Sequence, residues 1–386
     1  MSDHHLADED EFFKKRSPAS AKKTLIVVKF FKSWGIIMQK YSQRLLYIDL
    51  YAGPGSYEED ENGVANTVEK PIFGTCTQIL MAAAADLRLS TSLIAILNEG
   101  SSVYAKQLEA LLDSLPQIAS MKFKPRVFCG MVNDNIADAM SVQRLVPSLL
   151  FADPFGYAGL TQKLVRSTLK DWGSDCVFFF NYSRVNRVFS EASVAKHIDA
   201  LFTRERSEEM RQHLAALDDP VEREDYILKG LTDAMADIGG KYPIGYRFRT
   251  LDGRTSHYLM FVSKKPIGYD VMKKHMASES EVTDDDIPTY EFMEPGEKPA
   301  LFNFPPRRFP WSIDRLKQDL RKTYAGTPTS FQAIYDHHNI GKPYIEKNYR
   351  AAIIALQAHG LADLRKPDGS AVRRNSCPAD TIVRFK

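Results

Sequence analysis

The residues able to do chemistry sit at the ends of short apolar runs. Asp49 closes Leu45-Leu-Tyr-Ile48 and leads into Leu50-Tyr51-Ala52-Gly53-Pro54-Gly55; Glu99 closes Leu93-Ile-Ala-Ile-Leu-Asn98. Asp134 follows the run Pro125–Cys129, and Asp153 closes Ser148-Leu-Leu-Phe-Ala152 before Pro154-Phe155-Gly156. If these runs are parallel strands, all four acids share the carboxyl edge of one sheet, where open α/β folds bind ligands. Glycines 53 and 55 permit φ > 0 and let a ligand approach main-chain N–H groups without meeting a Cβ. Asp49, Tyr51, Gly53 and Gly55 would cradle the amino-acid or phosphate part of a ligand. Glu99 would accept from a ribose diol, and Asp134 would meet an exocyclic amine of adenine. Asp153, Pro154 and Phe155 would hold the reacting group, with carboxylate and carbonyl oxygens accepting from a substrate amine or hydroxyl.

Each position also has a plainer reading. Asp49 could be a strand cap, Glu99 an acid favoured by a helix N-terminus, Asn133-Asp134-Asn135 ordinary loop chemistry, and Asp153 a turn residue. Arg184 and Arg187 fit phosphate ligands or surface ion pairs equally well. His257 reads as a satisfied core or edge histidine, Phe178-Phe179-Phe180 as core, and His337-His338 as helix surface without metal-ligand spacing. No metal site is expected.

The elements that must position these residues alternate. Apolar residues Leu25, Val28, Phe31, Trp34 and Ile37 predict an amphipathic helix over 22–43 that covers the sheet. Strands are expected at 45–49, 93–99, 125–129, 148–153 and 175–181, with helices at 71–87 and 103–115 between them. This is the pattern of a doubly wound, mostly parallel Rossmann-like sheet. The segment 190–239 is charged and helical, an inserted lobe. Residues 242–250 and 255–263 flank the hairpin signal Asp252-Gly253 and supply an antiparallel edge. The expected organisation is therefore a mobile N-terminus (1–21), a sheet domain (22–275), a loop-rich linker (276–309) and a tail (310–386). In the tail, helices over 313–324, 329–337 and 344–359 precede two strands, 360–365 and 381–385, the order of a winged helix. Lys342, Lys347 and Arg350 on or before its third helix, with Arg373 and Arg374 in the hairpin, are the expected nucleic-acid contacts.

Composition narrows the classes. The chain has 386 residues, 44% of them hydrophobic, with 51 Lys+Arg against 49 Asp+Glu. From Leu301 onward there are 15 basic and 7 acidic residues, leaving 36 and 42 for the rest, so a basic tail follows an acidic body. Such a tail fits a polyanion or an acidic partner. The four cysteines form no Cys-x-x-Cys pair, which argues against a zinc or disulfide framework and for a reducing cytoplasm. Cys129 and Cys176 lie on apolar runs and are expected in the core. The acidic start lacks the positive n-region and apolar core of a signal peptide, and no run is long enough to span a bilayer.

The spacing does not suit a dinucleotide fingerprint, since Gly53-Pro-Gly55 lacks the third glycine and Glu99 lies far beyond the usual acid. Asp49-x-Tyr-Ala-Gly-x-Gly55 with Asp153-Pro-Phe155 instead resembles the S-adenosylmethionine pocket of class I methyltransferases. The second segment is similar to the Asp-Pro-Pro-Tyr/Phe motif of amino-methyltransferases that act on nucleic acids, where an aromatic stacks on a flipped base. Here Phe155 stands for the second proline and Gly156 for the aromatic, with Tyr157 one place late. More closely, Tyr47-Ile-Asp-Leu-Tyr-Ala-Gly-Pro-Gly55, Phe151-Ala-Asp-Pro-Phe-Gly156, Asn181-Tyr-Ser-Arg-Val-Asn-Arg187 and His257-Tyr-Leu-Met-Phe261 resemble the three-Cys-motif partner family. The methyltransferase resemblance implies S-adenosylmethionine as cofactor; the three-Cys-motif one implies a methyltransferase-like fold, a bacterial source, and a partner with three-cysteine motifs that itself resembles radical S-adenosylmethionine enzymes. Three functions remain open: a methyltransferase acting on nucleic acid, a catalytically degenerate binding partner, and, more distantly, a metal-dependent nuclease using the strand-end acids.

Overall fold

A computed structural model describes residues 13–154, 159–296 and 309–386. Phe155, Gly156 and Tyr157 lie outside the described residues. The chain divides into two compact units. The first runs to His275 and resumes at Phe292; the second takes Met276–Glu291 and the C-terminal segment.

The first unit is a sheet covered by helices. In chain order it comprises α1 (Pro18–Met38), β1 (Leu45–Asp49), α2 (Thr75–Ala84), β2 (Leu93–Glu99), α3 (Ser102–Ser114), β3 (Arg126–Cys129), α4 (Asp134–Val142), β4 (Ser148–Ala152), α5 (Gln162–Leu169) and β5 (Asp175–Phe180). A helical lobe follows, α6 (Tyr182–Val188), α7 (Ala195–Phe202), α8 (Arg204–Leu214) and α9 (Pro220–Asp237), then β6 (Tyr242–Arg249), β7 (Thr255–Ser263), α10 (Pro266–Ser278) and β8 (Glu291–Met293). The strand order is β3-β2-β1-β4-β5-β7-β6-β8. The first five strands are parallel, and β7 joins β5 antiparallel through six registered pairs, Asp175↔Ser263 to Phe180↔Tyr258. The expected doubly wound sheet, its inserted helical lobe and its antiparallel hairpin are all present; the hairpin is internal, with β8 added outside β6.

Buried strands explain the apolar runs. All five residues of β1 and of β4 are buried, as strands covered on both faces must be. β3, at the sheet edge, is different: its Cys129 is exposed, contrary to expectation, while Cys176 on β5 is buried. Helix α1 starts where Ser17 accepts the Ser20 N–H and Pro18 takes the first turn, an ordinary N-cap arrangement. Its buried face is Ile26, Val27, Phe30, Phe31, Trp34 and Met38, and Leu25 is 41% exposed. The expected stripe of Leu25, Val28, Phe31, Trp34 and Ile37 therefore needs correction. Steps of three drift around a helix with 3.6 residues per turn, so only part of that set stays on one face. Each fully buried large side chain of this face contributes about 1.5–3 kcal/mol.

The second unit is a small winged helix. It contains α11 (Ile313–Tyr324), β9 (Thr329–Ser330), α12 (Phe331–His338), α13 (Glu346–Ala358), β10 (Ala362–Arg365) and β11 (Ile382–Phe385). The three helices and the hairpin match the expectation, and β9 completes a three-stranded sheet, β10-β11-β9. Part of the expected linker belongs here: Ile287 is fully buried in this core, and the Asp286 carbonyl accepts from Asn348 Nδ2 at 3.0 Å. His338 is also buried, its Nδ1 2.9 Å from the Tyr349 hydroxyl, rather than on the helix surface. An aromatic cluster recruits it, which residue type alone does not signal.

Candidate functional site

A cavity of about 530 Å³ opens at the carboxyl ends of β1, β2, β4 and β5. Asp49, Tyr51, Gly55, Glu99, Asp153 and Pro154 all line it, so the topology brings together most of the residues singled out by sequence. Gly53, buried beneath Phe13, does not line it, and neither does Asp134. That residue is exposed at the first position of α4, where Asn133 caps the helix by accepting the Asn135 N–H.

Asp49 is buried. Its Oδ2 accepts from the Tyr47 hydroxyl at 2.8 Å and its Oδ1 from the Tyr51 N–H at 3.1 Å. Burial dominates and pushes the carboxyl up to about 7, against the pull of those two hydrogen bonds. The loop that follows turns through positive φ at Gly53 (+65°) and Gly55 (+83°). A Cβ at position 55 would stand 2.6 Å from Leu108 Cδ1 and 2.9 Å from Thr77 Oγ1, so glycine is required there by both backbone and space. The Gly55 carbonyl accepts from the Thr77 hydroxyl and the Gly74 N–H, each at 2.8 Å.

Glu99 clasps this loop. Its Oε2 accepts from the Gly53 N–H and its Oε1 from the Ser101 N–H, both at 2.8 Å. A carboxylate offers about four acceptor positions, so both oxygens retain capacity toward the cavity. The ring of Phe13 lies over Gly53, with its Cε1 2.8 Å from where a Cβ would stand, and packs edge-on against Tyr104 at 5.1 Å.

The other end of the cavity is built around Asp153. Its carboxylate is ion-paired with Lys23 of α1, whose ammonium also lies 5.1 Å from the Phe179 ring centroid. Lys23 was not singled out from the sequence, although it falls in phase with Val27, Phe30 and Trp34 on the buried face of α1. A lysine in register with a core stripe was the available signal. Phe179 is half-buried and lines the cavity, which corrects the expectation that the whole phenylalanine run is core. Its neighbour His257 is stacked on Phe248 at 4.4 Å and packs on Phe179 at 4.4 Å. Burial, aided by the Lys23 charge, lowers His257 to about 3. The imidazole is therefore neutral, with Nδ1 2.8 Å from the Ser256 hydroxyl.

Arg184 and Arg187 also line the cavity, beside Asn181. Neither has a carboxylate partner among the described residues. In the same described set no group of three or more His, Cys, Asp or Glu side chains is placed to hold a metal ion.

The basic residues of the winged helix sort into two groups. Arg350 pairs with Glu346 and stacks 4.2 Å from the Phe331 centroid; Lys342 Nζ donates to the His338 carbonyl at 2.9 Å; Lys347 lies 3.6 Å from Asp286. These side chains are partly committed within their own unit. Arg373 and Arg374 are exposed between β10 and β11.

Comparison with known proteins identifies a family model only for the second unit. Residues 284–369 match the family model described as a GMT-like wHTH domain. No curated protein matches the chain. Among solved structures, a Legionella pneumophila protein is 11% identical over 67% of this chain and 92% of its own, with a TM-score of 0.37. A predicted O-methyltransferase from Agrobacterium tumefaciens is 14% identical over 62% and 79%, with a TM-score of 0.29. A putative S-adenosyl-L-methionine-dependent methyltransferase from Methanococcus maripaludis is 10% identical over 63% and 88%, also at 0.29. The site is therefore interpreted from this chain's own strand order and residues: a mostly parallel sheet covered by helices, followed by a winged-helix domain.

Proposed function

We propose that the protein is an S-adenosylmethionine-dependent methyltransferase whose acceptor is nucleic acid, working beside a three-Cys-motif partner. The observation that carries this reading is the cavity itself. It joins a glycine loop and a ribose-suited carboxylate at one end to an acid, an asparagine and two arginines at the other. Its volume lies within the range of small-molecule sites. When bound, S-adenosylmethionine supplies an electrophilic methyl group.

The residues of this chain would do the rest. Gly53, Gly55 and Asp49 shape the loop that receives the amino-acid portion, and Glu99 accepts the ribose hydroxyls while keeping the loop closed. Asp153 and Asn181 orient the acceptor amine or hydroxyl by taking its proton-bearing groups as donors. Lys23 holds the Asp153 carboxylate in place and keeps its charge compensated until the acceptor arrives. Arg184 and Arg187 offer charge to a backbone phosphate, and the winged helix supplies further phosphate contacts.

Calorimetric titration of the full chain with S-adenosylmethionine and its demethylated product tests the reading. Micromolar binding, lost in Asp49→Ala and Glu99→Ala, is expected; no binding at millimolar ligand overturns it. A second reading keeps the fold but not the catalysis, and one observation favours it: the Asp153 carboxylate is already taken by Lys23. Cofactor binding with a stable partner complex, and no methyl transfer to any DNA or RNA tested, would select that reading.

A further inference from the structure

A second cavity, of about 600 Å³, opens at the opposite edge of the same sheet, where β5 begins and β7 ends. β5 spans six residues between the two edges, Asp175 facing this cavity and Asn181 just beyond its far end lining the first. They are separated by about 20 Å of strand.

The walls are mainly apolar and aromatic: Phe30, Trp34 and Met38 from α1, Trp172 before β5, and Val271 from α10. Ser174, Asp175 and Ser263 interrupt them, with Lys170, Lys264 and Lys265 also on the lining. Ser174 is 3% exposed, and its hydroxyl has no hydrogen-bond partner among the described residues. Asp175 is 5% exposed; burial raises its carboxyl to about 7 despite the Ser263 hydroxyl and the Lys264 charge. A buried hydroxyl left unpaired beside a buried carboxyl costs stability unless something meets it. Apolar walls with a few convergent polar groups are the general form of a small-molecule site.

Charge decides among ligand classes. Lys264 lies beside Asp175 and its ammonium donates to the carbonyls of Lys170 and Asp171 at 3.0 and 2.8 Å. That positive charge, with Lys265 and the Asp171-paired Lys170 also on the lining, opposes a cationic ligand, while the buried carboxyl and the apolar walls around it oppose an anion at the Asp175 end. A neutral, flat molecule carrying an N–H donor remains. Its face would lie against Trp34 and Trp172, and its N–H would be accepted by Asp175 with Ser174 alongside.

We infer that this cavity is a second ligand site, independent of the first, for a neutral N–H-bearing heteroaromatic ring such as an indole or a purine-like base. The unpaired Ser174 hydroxyl and the buried Asp175 carboxyl inside aromatic walls carry the inference.

The test uses the full chain with three probes of similar size: indole, benzofuran (which replaces the N–H by an acceptor oxygen) and benzamidinium. Two of the three tryptophans line the cavity, so the indole N–H resonances of Trp34 and Trp172 report occupancy by NMR while Trp311 serves as an internal control. Indole should shift both resonances, bind about tenfold tighter than benzofuran, the size of one satisfied hydrogen bond, and exceed benzamidinium. Val271→Phe, which fills the cavity, should abolish the shifts, and Ser174→Ala should narrow the preference for indole. S-adenosylmethionine binding should be unchanged in both variants, which separates this site from the first. Equal binding of indole and benzofuran, tighter binding of benzamidinium, or no shift up to the solubility limit each overturns the inference.

Discussion

The ammonium of Lys23 is seated on the carboxylate of Asp153, joining two side chains 130 positions apart on the wall of the first cavity. Lys23 is 7% exposed and Asp153 23% at the side chain. Breaking a buried pair by removing one partner typically costs about 3–5 kcal/mol, and the partial exposure of Asp153 places this pair at or below the lower bound. Lys23→Met should therefore lose about 2–3 kcal/mol in urea unfolding, and Lys23→Arg much less. Lys23→Met as stable as the parent would show that the pair holds nothing together.

Gly55 makes a sharper test of the loop. Alanine there must adopt φ near +83° and displace Leu108 and Thr77. Strain of about 1–2 kcal/mol from the left-handed backbone adds to overpacking of about 1–3 kcal/mol. Gly55→Ala should lower the unfolding free energy by that combined amount and abolish cofactor binding. Gly63 is also left-handed (+78°), but the nearest atoms to its Cβ position are 3.7 Å away. Gly63→Ala should therefore cost only the strain and bind cofactor normally. Equal losses at both positions would mean that crowding around the loop is irrelevant.

Asp49 and Asp175 give stability a pH dependence of definite sign. Each is raised from an ordinary value of 3.8 to about 7 by burial. Between those two values the folded chain binds the proton more tightly than the unfolded chain. Their contribution is therefore greatest at the acidic end and is lost as pH rises toward 7, at up to about 1.4 kcal/mol per pH unit per group. Urea unfolding between pH 4.5 and 7.5 should show Asp49→Asn and Asp175→Asn each flattening part of that slope. A variant whose profile parallels the parent's would refute the burial effect at that residue.

The wing should carry charge and the third helix stability. Arg373→Ala with Arg374→Ala should weaken binding to duplex DNA of any sequence and reduce the slope of log K against log salt by about 2. Arg350→Ala should instead lower the unfolding free energy, because its guanidinium is stacked on Phe331 and paired with Glu346. An unchanged salt slope in the double variant would remove the wing from the interface.

Much of this was legible in the order of residues. Apolar runs closed by Asp49, Glu99 and Asp153 located β1, β2 and β4 and their common edge, because strands buried on both faces, as β1 and β4 are, must be apolar throughout. The glycine loop was legible for a related reason: Gly55 has no room for a Cβ. The winged helix was legible from three helical periods and a basic hairpin.

The tertiary structure decided what those acids meet. Asp134 left the site because α4 takes it as a first-turn residue, and Cys129 left the core because β3 is an edge strand. Lys23 entered the site, and His338 entered the core, since each lies on a helix face whose orientation only packing sets. The second cavity was invisible in sequence, since its walls come from α1, the turn before β5 and the start of α10, segments far apart in the chain. Residue type and local period report which positions prefer burial; which buried positions touch is settled by how helices cross a twisted sheet, and that is a property of the whole fold.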